Sequence, residues 1–300
     1  MRTLCLIHAI LFLCFAGATP LMAGGIIAPG ATLHKIATGF AFTEGPAADS
    51  KGNVYFTDQP NDRILIWTTD DELKTFMMPC GRANGLCFDQ KDNLWACADE
   101  QNQLWIIDPD KNVQVIIKDL QGELLNGPND LWITPHGGVY FSDPYYKRSY
   151  WRRDQEKLEV QGVYYLTPNR KKVTLVIDDL VQPNGLIGTP DGKKLYVTDI
   201  GDNKTYSYSM QRNGQLNDKK LFCTMGSDGL TMDEQGNVYL TNRQGVTVFN
   251  AIGEQIEQIA TGAGWTANVC FGGTDGRTLF VTAMDGLYAI RMSVKGAGSQ

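Results

Sequence analysis

One phrase recurs six times along this chain: a short β-like segment, a turn rich in Gly, Asn and Asp, and a second β-like segment. It reads DSKGNVYFTD at 49–58, DQKDNLWACA at 89–98, TPHGGVYFSD at 134–143, TPDGKKLYVTD at 189–199, DEQGNVYLTN at 233–242 and TDGRTLFVTA at 274–283. Gly, Asn and Asp tolerate the positive φ that hairpin loops need. With Gly52, Asp92, Gly137, Gly192, Gly236 and Gly276 as markers, successive copies lie 40, 45, 55, 44 and 40 residues apart. A four-stranded propeller blade takes roughly 40–50 residues, and radial repetition lets each blade bury its apolar faces on its neighbours. The expected fold is therefore all-β, a six-bladed β-propeller of four-stranded antiparallel blades spanning 30–300. After the last copy, 287–294 supplies only a third strand, so 33–40, ahead of the first copy, is expected to close the ring as the fourth.

The start of the chain stands apart from this pattern. Met1-Arg2, an apolar run at 4–15 and Ala16-Gly17-Ala18 read as a secretory signal peptide over 1–18, with cleavage there or a few residues later. The run is short for a membrane span, which needs roughly 20 residues. The mature chain is expected to be soluble, free of the membrane, and periplasmic or secreted. Cys5 and Cys14 belong to the leader, which leaves Cys80, Cys87, Cys97, Cys223 and Cys270 at no metal-type spacing. They read as buried strand residues, with one disulfide among Cys80, Cys87 and Cys97 left open. A net charge of −6 and the lack of a basic cluster argue against nucleic acid or anionic lipid as partner.

Eight residues before each marker stand Glu44, Asn84, Asn129, Asn184, Asp228 and Asn268, all acids or amides. Asx residues at strand entries often make local turns, but six of six at one offset points to a common place, the channel at the start of each innermost strand. Two carboxylates and several amide oxygens suit one hard divalent cation; calcium is the first choice, with magnesium, manganese or zinc as alternatives. Asn84, Asn129 and Asn268 are further candidates for substrate contact. His8 falls in the leader, His34 in the closing strand and His136 in a hairpin turn, so a histidine-based hydrolase is not expected. No Gly-x-Ser-x-Gly elbow is present. Chemistry then rests on metal and carboxylate. Asp228, the only Asp of the ring, flanked by Gly226, Ser227 and Gly229, is the candidate general base. The longest interval holds an insertion at 145–160, in which Tyr145, Tyr146 and Trp151 are candidates for a lid or for sugar stacking, or for plain packing on the nearest blade.

With these residues in hand, the chain resembles the regucalcin/gluconolactonase (SMP-30) family. The matching phrases are Glu44-Gly45-Pro46, Asn126-Gly127-Pro128-Asn129-Asp130, Pro183-Asn184-Gly185-Leu186, Ser227-Asp228-Gly229 and 268–273 (NVCFGG). The resemblance implies a divalent ion held by Glu44, Asn184 and Asp228, with Asn129 as a further ligand or substrate contact, and Asp228 as catalytic base. Some relatives carry an Arg two residues before the position of Asn129; this chain has Gly127 there. The expected function is metal-dependent hydrolysis of a small sugar lactone. Hydrolysis of another ester or phosphoester, and a non-catalytic binding propeller, are the competing readings.

Overall fold

The structure is a computed structural model that describes residues 25–153 and 158–298; the expected leader lies outside the described residues. Among the described residues, 24 strands form six separate four-stranded antiparallel sheets, each a blade. The innermost strands are Thr43–Ala48, Ala83–Phe88, Leu131–Ile133, Pro183–Gly188, Leu230–Met232 and Asn268–Gly272. Each packs beside the next, and the last packs on the first. The repeated phrase supplies the hairpin turn and the second strand of every blade, and the innermost strand lies just ahead of it, so the first segment of the phrase is turn where a strand was expected.

The second strands, such as Val54–Asp58 and Val139–Asp143, are almost entirely buried. Each blade is covered on both faces, so these strands carry apolar runs instead of the alternation of a half-exposed sheet. Six apolar clusters fill the six blade-to-blade interfaces. Ile64, Leu86, Leu94 and Ile107 lie between the first and second blades, and Phe56, Phe280 and Leu287 between the sixth and first. Ring closure follows expectation: His34–Thr38 pairs antiparallel with Gly286–Arg291 as the outer strand of the sixth blade. All five cysteines of the described residues are free, and four of them are buried, which removes the open disulfide.

The two ends of the repeated phrase each have a structural task. The first residue closes the hairpin turn: Asp49 Oδ1 accepts from the Lys51 and Asn53 amides at 3.0 and 2.9 Å, and Thr189 Oγ1 accepts from the Lys194 amide at 3.0 Å. The last residue anchors the segment that leads into the innermost strand. Asp58 Oδ1 accepts from the Ala41 and Phe42 amides at 2.9 and 3.2 Å. Asp143 accepts from Asn126 and Gly127, both at 2.8 Å, and Asp199 from Val181 and Gln182, both at 2.9 Å. Ala98 cannot do this in the second blade, and Asp62 of the first blade accepts from the Cys80 and Arg82 amides instead, at 2.9 and 2.7 Å. Each anchored pair sits two to four residues ahead of Glu44, Asn84, Asn129 or Asn184, so these aspartates set where the channel residues begin.

Asp199 is 1% exposed, and Asp199→Ala leaves two backbone amides without acceptors, each costing about 1–3 kcal/mol when buried. Urea denaturation is expected to show a loss of about 2–4 kcal/mol, against less than about 0.5 kcal/mol for Asp191→Ala in an exposed turn. Equal small losses would show that the anchoring bonds contribute nothing.

Candidate active site

The six channel residues are delivered by inner strands that come unusually close together. In three blades the inner strand bulges at this point: the register shifts between Glu44 and Ala47, between Ala83 and Leu86, and between Pro183 and Leu186. A bulge re-aims the side chain it carries. The following residue is Gly in four blades because the next blade leaves no room for more. A Cβ on Gly45, whose φ is +44°, would stand 2.0 Å from the Asn84 carbonyl oxygen, and one on Gly229 would stand 2.0 Å from Asn268 Cγ. Hydrogen bonds across the blade seams fix the same residues: Thr57 Oγ1 donates to the Asn84 carbonyl at 3.2 Å, the Gly85 amide to the Asn129 carbonyl at 2.8 Å, and Thr198 Oγ1 to the Ser227 carbonyl at 2.7 Å.

Glu44, Asn84, Asn129, Asn184 and Asn268 are buried, while Asp228 keeps some surface open. Asn184 Nδ2 donates to Asp228 Oδ1 at 2.8 Å, and Trp265 Nε1 donates to Asp228 Oδ2 at 2.6 Å. Asn184 Nδ2 also donates to the Tyr146 hydroxyl at 2.8 Å. Burial pushes the Asp228 carboxyl up to about 6, against the pull of Trp265, Asn184 and Arg148. Burial, reinforced by the charge of Asp228, holds the Glu44 carboxyl well above the usual range. Glu44 accepts the Gly45 amide at 3.1 Å.

Asn268 departs from its equivalents. Its inner strand has no bulge, its Oδ1 accepts the Val269 amide at 2.8 Å, and its side chain also bonds Asp130. Asp130, which sequence reasoning passed over, lines a cavity of about 670 Å³ that continues along the channel between the inner strands. Burial raises its carboxyl to about 7.

Buried and without a hydrogen-bond partner are the side-chain oxygens of Asn84 and Asn184. Two carboxylates pressed into one channel beside idle amide oxygens are the donor set of a hard divalent cation. Among the described residues no group of three His, Cys, Asp and Glu side chains could hold an ion, so a cation here has to take amide oxygens with the carboxylates of Glu44 and Asp228. His34 and His136 are both exposed on the surface.

The insertion after the third blade's second strand reaches over the channel. Its tether is Asp99, a residue that the sequence did not single out. The Asp99 carboxylate accepts from Arg148 Nε at 3.0 Å, from Gln59 Nε2 at 3.3 Å and from the Tyr150 hydroxyl, and its carbonyl accepts Trp151 Nε1 at 2.8 Å. Of the three aromatic candidates, only Tyr146 is hydrogen-bonded to a channel residue. Trp151 packs over Gly127, where a Cβ would lie 2.8 Å from its ring, and Tyr145 packs on Trp151 with centroids 6.0 Å apart.

Comparison with known proteins agrees with this architecture. Residues 42–285 match the family model "SMP-30/Gluconolactonase/LRE-like region", and the chain belongs to that family. It is 28% identical to the gluconolactonase of Zymomonas mobilis over 88% of this chain and 82% of that protein. Among solved structures, a gluconolactonase from Xanthomonas campestris is 26% identical, covers 89% of this chain and 91% of its own, and superposes with a TM-score of 0.83. The calcium-binding protein regucalcin of Agrobacterium tumefaciens shares the fold at 17% identity, over 88% of this chain and 94% of its own, with a TM-score of 0.72.

The buried carboxylates give a pH signature to the cation-free protein. In an unfolded chain a carboxyl loses its proton near pH 4, whereas folded Asp228 holds it to about 6 and Glu44 holds it above the usual range. Between those values the folded state binds more protons than the unfolded state, so stability falls as pH rises through them. Calorimetry of chelator-treated protein is expected to give a higher Tm at pH 5 than at pH 8. An equal or higher Tm at pH 8 would contradict the pairing of two uncompensated carboxylates.

Proposed function

We propose that this chain hydrolyses a small sugar lactone at the channel cluster, with one divalent cation, calcium foremost, held by Glu44, Asn184 and Asp228 and flanked by Asn129. The observation that carries the reading is the pairing of buried Glu44 and largely enclosed Asp228 with the partnerless oxygen of Asn184. Family membership and the lactone-hydrolysing relatives support the substrate class. When bound, the cation would polarise the ester carbonyl and offset the charge that develops on its oxygen.

The protein's own part falls mainly to Asp228. Its two oxygens are held by Asn184 and Trp265, so the carboxylate has a fixed aim. At neutral pH it is mostly ionised and takes a proton from the water that attacks the lactone carbonyl, as general-base chemistry requires. The ring carbon–oxygen bond then breaks, and the leaving oxygen is protonated to give the hydroxy acid. Tyr146 accepts the Asn184 bond and retains its own hydrogen for a substrate oxygen; burial raises its pKa, which keeps it protonated. Asn84, Asn129 and Asn268 are the proposed polar contacts to the sugar. The leader read at 1–18 supports an exported, periplasmic or secreted, place of action.

Asp228→Asn tests the base role. The amide preserves size and one oxygen donor but accepts no proton, and removing a general base costs about 10²–10⁴-fold in turnover. A loss of that order is expected in protein that still binds calcium and keeps its Tm. Turnover within about threefold of the parent would withdraw the role from Asp228.

A further inference from the structure

A second cavity, of about 660 Å³, opens beside the channel and is lined by Gln59, Pro60, Arg82, Lys147, Arg148, Ser149 and Tyr150. Three of these residues are cations and none is an acid, in a chain whose net charge is −6. Each cation is positioned differently. Arg82 is fixed by Nη1 donating to the Pro60 carbonyl at 2.7 Å and by its guanidinium lying 4.6 Å from the Tyr150 ring centroid. Its buried Nε has no hydrogen-bond acceptor, since the nearest carboxylate, Glu100, stands 3.7 Å away. Arg148 is held from behind, through Nε, by buried Asp99. Lys147 is exposed and has no carboxylate partner among the described residues. Among the described residues Asp99 and Glu100 are the acids paired with Arg148 and Arg82, and Lys147 is paired with none, so its charge is open to a ligand.

This cavity shares a wall with the channel. The Arg148 guanidinium lies 5.3 Å from the ring centroid of Tyr146, whose hydroxyl is bonded to Asn184, and its charge acts on both Glu44 and Asp228. A molecule with its ester at the channel can therefore place a substituent among Arg82, Lys147 and Arg148. Guanidinium groups held in place with donors to spare favour carboxylate and phosphate oxygens.

We propose that Arg82, Lys147 and Arg148 form a subsite for an anionic substituent, and that the preferred substrate is a sugar lactone carrying a carboxylate or a phosphate away from its ester. The inference rests on the lactone-hydrolase reading and narrows its substrate class. Lys147 and Arg148 reach this cavity from the insertion, and Arg82 from the segment that leads into the second blade's inner strand.

The test compares kcat/KM of the full-length protein for three sugar lactones of the same ring size: one neutral, one bearing a second carboxylate, one phosphorylated. One or both anionic lactones are expected to exceed the neutral one by about tenfold, as one charge-assisted contact provides. The arm that leads identifies the anion. Lys147→Gln and Arg82→Gln are expected to cut that ratio severalfold, chiefly through KM, and added salt to weaken it. Lys147 is exposed, so its variant folds whatever becomes of Arg82→Gln. A neutral lactone preferred or equalled, or an anionic preference unchanged in Lys147→Gln, would overturn the subsite. Should no lactone be hydrolysed, the lactonase reading fails separately, and calorimetric titration with inorganic phosphate still decides the subsite. Binding weakened by Lys147→Gln supports it, and no binding to the parent protein overturns it.

Discussion

Two carboxylates buried toward the same point are the constraint on which the centre of this molecule turns. Glu44 and Asp228 come from the first and fifth blades, Glu44 buried in its inner strand and Asp228 just ahead of its own, where it keeps a little surface open. Removing charge from water is expensive unless it is paired. Each carboxyl responds by holding its proton more tightly than usual. The rest of the channel supplies oxygens instead of cations: amides on the four other blades, two of them with partnerless carbonyl oxygens. That combination is unfavourable for a protein alone and favourable around a divalent ion.

The architecture makes this crowding durable. Glycines next to the channel residues let neighbouring strands approach within contact distance, and the Thr hydroxyls of the second strands stitch one blade to the next. The aspartates that end the repeated phrase hold the segments feeding those strands. A shift in one blade is therefore felt in the next, and the geometry of Asp228 depends on Asn184 in the fourth blade and on Trp265, which precedes the sixth.

The propeller, its closure and the six channel positions were legible in the sequence because blades repeat, and equal offsets in equivalent blades mean equivalent places. Asn268 shows where that reasoning stops: its offset matches, but it is itself the first residue of a regularly paired strand, and its side chain turns to Val269 and Asp130. Trp265, Asp99 and Arg148 were not legible. They sit in connections with no period, and Asp99 meets its partners 40–52 positions away in the chain. Tyr146 was identifiable only as an aromatic in an insertion; its bond to Asn184 needed the fold. Asp130, next to Asn129 in Asn126-Gly127-Pro128-Asn129-Asp130, could have been noticed, since a residue adjoining a channel position at the mouth of a strand stays near the axis.

The most direct measurement is lactone turnover by protein stripped of metal and then titrated with calcium. The account predicts turnover near background in the stripped protein, recovery that saturates at one calcium per chain, and a much weaker calcium response in Glu44→Gln, which removes half of the compensating charge. Full turnover in the stripped protein, with calcium neither bound nor needed, would contradict it.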